Sequence, residues 1–166
     1  MPGIHHVTAI SGKPTRNLDF YTRILGLRFV KKTVNFDDPG TYHLYYGDEI
    51  GRPGTILTFF PWEHAVPGRA GTGLAQETAF RVPAASLGYW THRLVETGVE
   101  HGAIERRFDE PVLTLADPDG MRLALVPRFA SFDPLTGFGR SILDSGLISQ
   151  CAPGAEVRSS PCRGCH

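Results

Sequence analysis

The chain has 166 residues, 41% hydrophobic and 20% charged, with 17 Lys+Arg against 17 Asp+Glu. One sizeable core can be buried, and zero formal net charge gives no support for a nucleic-acid or anionic-membrane partner. No apolar run approaches the roughly 20 residues of a membrane helix. The start MPGIHHVTAIS also lacks the basic and apolar regions of a signal peptide, so a cytoplasmic location is expected.

Residues 3–11 (GIHHVTAIS) are rich in β-formers and predict a short strand. Over 14–25 the apolar residues Leu18, Tyr21, Ile24 and Leu25 recur at helical spacing, and Gly26 stops the helix as a C′ residue. Strands are predicted at 27–34, 41–46 and 55–60, separated by turns at Asp37-Asp38-Pro39-Gly40 and Gly51-Arg52-Pro53-Gly54. The order is βαβββ. A Gly- and Pro-rich loop, 62–73, follows, and the order then starts again. A strand over 74–82 precedes a helix over 85–97 with Leu87, Trp90 and Leu94 on one face, stopped by Gly98. Strands at 103–107, 112–115 and 121–126 complete the unit, the last entered through Asp117-Pro118-Asp119-Gly120.

The two halves correspond in detail. Each helix carries an aromatic pair, Phe20-Tyr21 and Tyr89-Trp90, and each ends in Gly plus an aliphatic residue, Gly26-Leu27 and Gly98-Val99. Each final strand follows a Pro-containing turn ending at Gly54 or Gly120. The predicted fold is α+β: two βαβββ repeats, 3–62 and 73–128, whose curled mixed sheets form a cleft. Leu18, Phe20, Tyr21, Leu25, Phe29, Leu44, Ile56, Phe80, Trp90, Leu94, Leu113 and Leu123 are the expected core. Residues 129–166 show no sustained period and read as an atypical, poorly ordered tail. All three cysteines, Cys151, Cys162 and Cys165, lie in it, so the folded part has no disulfide and suits a reducing compartment. The terminal Cys162-Arg163-Gly164-Cys165-His166 fits the C-x-x-C-H haem pattern, but nothing around it could bury a porphyrin, and a tail is the preferred reading.

The residues that could carry chemistry start with His5-His6 on the first strand. Strand neighbours face opposite sides, so His6 shares a face with Thr8, and His5 takes the other unless a bulge or strand end re-aims it. A neutral imidazole on a rigid strand can ligate a divalent metal. By itself such a histidine is more often a hydrogen-bonded core or surface residue than a ligand. His43 in Tyr42-His43-Leu44 could face the cleft, although packing is the preferred reading. Glu77 lies on the strand equivalent to that of His6 and is a weaker ligand candidate. Lys31-Lys32 and Arg106-Arg107 read as charged strand edges, His64 as a loop residue and His92 as a solvent-side helix residue. With no cysteine in the folded part, thiol catalysis has no support.

The motifs GIHHVTAISG, NLDFYTRILGLRFVKKTVNFDDPGTYHLYYGDE, PGTILTFFPW and LADPDGMRLALV resemble the N-terminal half of hydroquinone-type ring-cleaving dioxygenases. These belong to the vicinal oxygen chelate, or glyoxalase/bleomycin resistance/dioxygenase, superfamily. The likeness covers about residues 3–127 and is most specific from Val30 to Glu49. It implies a non-haem Fe(II) enzyme, with Mn(II) as an alternative metal, performing extradiol-type cleavage of a small aromatic substrate with O2. The metal would be held by two His and one Glu. His6 matches the one ligand from this half. His5 and Thr8 match positions lining the substrate pocket, where His5 would act catalytically by relaying a proton or hydrogen-bonding a phenolic oxygen. The remaining His and Glu belong to the family's last module, which this chain lacks; a break in the reading frame or a truncation near Phe129 would account for that. The family is one of enzymes, yet this chain is expected to be inactive alone. A homodimer could set two copies of His6 across one cleft. The alternative function is a metal-free binding module like the bleomycin-resistance proteins. A glyoxalase-like lyase ranks third, because Leu57, Thr58 and Ala124 stand where that chemistry needs carboxylates.

Overall fold

A computed structural model describes residues 4–66, 68–69 and 71–128, together with the backbone of Leu147–Cys151. The first unit runs β1 (His6–Ser11), α1 (Pro14–Asp19), a π-helical turn (Phe20–Ile24), β2 (Arg28–Val34), β3 (Tyr42–Gly47) and β4 (Ile56–Pro61). The second runs β5 (Ala75–Pro83), a 3₁₀ turn (Ala84–Ser86), α2 (Leu87–Glu96), β6 (His101–Arg107), β7 (Glu110–Ala116) and β8 (Arg122–Arg128). Sheet order is β1-β4-β3-β2 in the first unit, and β6-β7-β8-β5 continued by β9 (Leu147–Cys151) in the second. In both units the first and last strands pair in parallel and the others antiparallel. The expected repeat and mixed sheets are therefore present.

Alternation along the strands splits each sheet into two faces. Val7, Ala9, Leu44, Tyr46, Leu57 and Phe59 of the first sheet join Phe80, Val82, Leu113, Leu115, Leu123 and Leu125 of the second in one core cluster, with the helical residues Tyr21, Leu25, Trp90 and Leu94. One hydrophobic core thus serves both units. Polar bonds cross the same boundary. The Tyr21 hydroxyl donates to Asp117 Oδ2 at 2.9 Å, Arg93 Nε donates to the Ile24 carbonyl at 2.7 Å, and Arg16 pairs with Asp119. The Arg93 guanidinium sits on carbonyls at the end of the first helical segment, where the backbone dipole favours a cation.

The turns before β4 and β8 are built alike. Asp48 Oδ1 accepts from the amides of Ile50 and Arg52, and Asp117 Oδ1 from those of Asp119 and Met121. Gly51 (φ +70°) and Gly120 (φ +86°) sit three residues beyond their aspartates in a left-handed conformation that strains any residue with a Cβ. The repeat partner of Gly120 is therefore Gly51, whereas the sequence motif suggested Gly54.

Three expected core residues lie elsewhere. The first helix widens to a π-turn at Phe20, Asn17 takes the inward position, fully buried with Tyr46 O–H donating to its Oδ1, and Leu18 is exposed. Phe29 lies on edge strand β2 and is only partly covered against the Tyr46 ring. Ile56 is the register partner of His6 and is only half-buried, so Leu57 and Phe59 supply β4's part of the core. The tail was expected to lack regular structure, yet Leu147–Cys151 pairs antiparallel with β5, closing an edge that β5 would otherwise expose. The C-x-x-C-H stretch and the rest of 129–166 lie outside the described residues. Among the described residues no helix is long and apolar enough to cross a membrane.

Candidate active site

His6, Thr8 and Ile10 alternate along β1 on the face opposite the core, the side left open. His5 precedes the strand. Its carbonyl accepts the Gly54 amide at 2.7 Å, and its ring turns so that Nδ1 lies 3.0 Å from Nδ1 of His6. The strand end has re-aimed His5, and the two imidazoles meet edge to face. With one proton between two facing nitrogens, one ring donates and the other accepts. When His6 Nδ1–H is the donor, its Nε2 lone pair is free for a ligand, the usual arrangement in which a second group fixes the tautomer of a ligating histidine. Partial burial, and next the neighbouring His5, lower the His6 pKa, favouring the neutral ring that ligation requires.

Thr8 belongs to a polar string running across the sheet. Thr58 Oγ1 donates to Thr8 Oγ1 at 2.8 Å, His43 Nε2 lies 2.9 Å from Thr58 Oγ1, and the Tyr45 hydroxyl lies 2.8 Å from His43 Nδ1. His43 is flanked by the rings of Tyr45 and Phe60, with centroids 4.2 and 4.1 Å away. The Lys31 ammonium lies over the Tyr45 ring at 4.5 Å. Burial, then the charges of His6 and Lys31, depress the His43 pKa. The sequence alone favours packing for His43 and does not single out Tyr45. The available signal was their spacing of two on one strand, which puts both on one face.

The second unit answers the other candidate. Glu77 is buried and its Oε1 takes a hydrogen bond from Arg107 at 2.8 Å. Its carboxylate is thus committed to a guanidinium, and Arg107 is more than an edge charge. His92 faces solvent beside Glu96, as expected. Leu57, Thr58 and Ala124 are fully buried and carry no acid. Among the described residues, no three of His, Cys, Asp and Glu come close enough to hold a metal ion. His6 fits as one ligand of a metal, and the described residues do not complete a site. A cavity of about 690 Å³ lies beside β1, its lining including Val7, Thr8, Glu77, Thr78, Met121 and Arg122.

Residues 3–125 match the family model of the Glyoxalase/Bleomycin resistance protein/Dioxygenase superfamily. The chain belongs to this superfamily, and its curated relatives are dioxygenases by name. It is 52% identical over 126 residues to "Putative ring-cleaving dioxygenase MhqO" of Bacillus subtilis, covering 76% of this chain and 40% of the relative. It is 34% identical over 119 residues to "Chlorohydroquinone/hydroquinone 1,2-dioxygenase" of Sphingobium indicum, covering 70% of this chain and 37% of that protein. A crystal structure described as a putative dioxygenase from Bacillus subtilis superposes with a TM-score of 0.76 at 46% identity, covering 87% of this chain and 46% of the other. In sequence the likeness runs past residue 129, since one Bacillus subtilis relative matches over 146 residues. The chain spans less than half the length of each of these proteins.

Proposed function

We propose that the two units over 3–128 are the ligand-bearing N-terminal half of a non-haem Fe(II) extradiol-type dioxygenase acting on hydroquinone-like aromatics and O2, with 129–166 as an atypical C-terminal segment that lends β9 to the second sheet. The observation that carries this reading is the grouping of His5, His6 and Thr8 at the open face of β1, with the two imidazoles 3.0 Å apart. His6 would be the iron ligand, with Mn(II) as the alternative metal, and His5 and Thr8 the substrate contacts. Ferrous iron, when bound, supplies open positions that gather both reactants and polarise the ring oxygen. What the chain itself supplies is a His6 ring held against a second imidazole, a histidine able to move a proton at its free ring nitrogen, and a threonine hydroxyl beside the cavity. The location is proposed as cytoplasmic, and a homodimer as the assembly that would bring two copies of His6 together.

This chain should be inactive by itself, because three protein ligands are needed and, among the described residues, His6 has no second or third ligand grouped with it. Oxygen consumption with hydroquinone after anaerobic iron loading tests this. Turnover approaching an ordinary enzyme's, on the order of 10 per second, would overturn it. When the chain is combined with a complementary half, His6→Ala should abolish iron retention, whereas His5→Ala should retain iron and slow ring cleavage. Equal iron loss in both would refute the division of roles. One observation favours a second reading, a metal-free binding module: a cavity of about 690 Å³ lies beside β1. Hydroquinone binding that is unchanged by iron or by His6→Ala would select it.

A further inference from the structure

The paired turns supply an internal control for the open face. Asp48 and Asp117 hold equivalent places, and counting back along β3 and β7 matches Tyr45 with Thr114 and His43 with Val112. The register then carries the match across each sheet. Tyr45 pairs with Thr58 and Thr114 with Ala124; Thr58 pairs with Thr8 and Ala124 with Ala79. So Thr8, Thr58 and His43 of the first unit stand where the second has Ala79, Ala124 and Val112. Those three, with Val126, form a buried apolar cluster of their own. In the second unit, then, small apolar residues close this patch. In the first unit three polar side chains stand there instead, hydrogen-bonded in series and ending at the open face.

The protons in that series can be counted. Thr58 has one hydroxyl proton and gives it to Thr8. Thr58 Oγ1 must then accept from His43 Nε2–H, the group 2.9 Å away. A neutral imidazole has one N–H, so His43 Nδ1 accepts, and its partner is the Tyr45 O–H at 2.8 Å. Every donor has one acceptor, and the polarity runs from Tyr45 to Thr8. The Thr8 hydroxyl, already accepting from Thr58, has its own proton left to direct away from the sheet. We infer that Tyr45, His43 and Thr58 are positioning residues that hold the Thr8 hydroxyl as an outward hydrogen-bond donor to a phenolic or phenolate oxygen in the cleft. This rests on the proposed substrate class and deepens it: the site would prefer rings carrying a free or ionised hydroxyl over their ethers.

Two measurements on the full 166-residue chain test it. Long-range ¹H–¹⁵N correlation spectra report which nitrogen of His43 carries the proton at neutral pH. The proton on Nε2 is expected; on Nδ1 it would reverse the series and overturn the inference whether or not any ligand binds. Affinity for hydroquinone and for its dimethyl ether is then compared in wild type, Thr58→Val, His43→Leu and His43→Gln. Loss of the oriented donor should weaken hydroquinone about five- to tenfold in Thr58→Val and His43→Leu, as for about 1–1.4 kcal/mol of hydrogen bonding. The ether should be unaffected. His43→Gln, whose amide can donate from the place of Nε2, should recover most of the loss. Equal weakening of both ligands would mean a merely structural role and would refute the inference. Failure of hydroquinone to bind even wild type would refute the substrate class, while the His43 spectrum still decides the polarity.

Discussion

Replacing Tyr21 by Phe removes one oxygen and keeps the ring in its place among Phe20, Tyr46 and Phe59, whose centroids lie 5.0, 5.3 and 4.7 Å away. The lost atom is the donor to Asp117 Oδ2, while the two backbone amides on Oδ1 remain. Burial is the largest influence on Asp117 and raises its pKa, and the Tyr21 hydrogen bond opposes that rise. A carboxyl raised above its unfolded value stabilises the fold below the unfolded pKa, and that contribution disappears as pH rises through the folded one. Tyr21 therefore matters most when Asp117 is charged. The substitution should cost about 1.5–3 kcal/mol at pH 7, the range for a hydrogen bond to a charged group. With Asp117 protonated the loss should shrink to about 0.5–1.5 kcal/mol, the range for a neutral pair. Urea unfolding followed by circular dichroism, at pH 7 and at the lowest pH where the protein stays folded, gives both values. A loss under about 0.5 kcal/mol at pH 7, within the usual scatter of neutral substitutions, or one equal at both pH values, would refute this account of how the units are joined.

Three further outcomes follow from the same geometry. Arg107→Met should destabilise by about 2 kcal/mol, because it strands the buried Glu77 carboxylate, and adding Glu77→Gln should restore most of that in a double-mutant cycle. The folded pKa of His43 lies below its unfolded 6.5, so its contribution is present above pH 6.5 and lost as pH falls through the folded value; His43→Gln should flatten the stability–pH curve on that acid side. Gly120→Ala places a Cβ at φ +86° and should cost about 1–2 kcal/mol by chemical denaturation, with no change in far-UV spectrum.

The repeat was legible because it rests on period and punctuation: two helical patterns each ended by Gly, and strands of alternating character. What escaped was set by contacts across the chain. Nothing local in Leu18-Asp19-Phe20 announces a π-turn; Asn17 moves inward because Tyr46, 29 residues away, supplies its partner. The β6–β7 hairpin turns at Phe108-Asp109 with both φ values positive, 49° and 65°, so the usual Asn-Gly cue is missing and the strand was begun too late. The same division holds at the site. His6 and Thr8 sharing a face followed from alternation. The turn of the His5 ring toward His6 depends on where β1 begins, and the bond from His43 through Thr58 to Thr8 depends on a register that only the folded sheet fixes.

The two aspartate turns differ in where their second carboxylate oxygen finds a partner. Asp48 closes on Arg52, four residues along, whereas Asp117 reaches back 96 residues to Tyr21. As the chain leaves the ribosome, the first turn can therefore finish as soon as residue 52 emerges. The second needs a hydroxyl that the first unit supplies. For these turns, synthesis from the N-terminus delivers each partner in order, Tyr21 before the turn that uses it. A circular permutant that begins at the second unit would have to fold that turn with its partner still unmade.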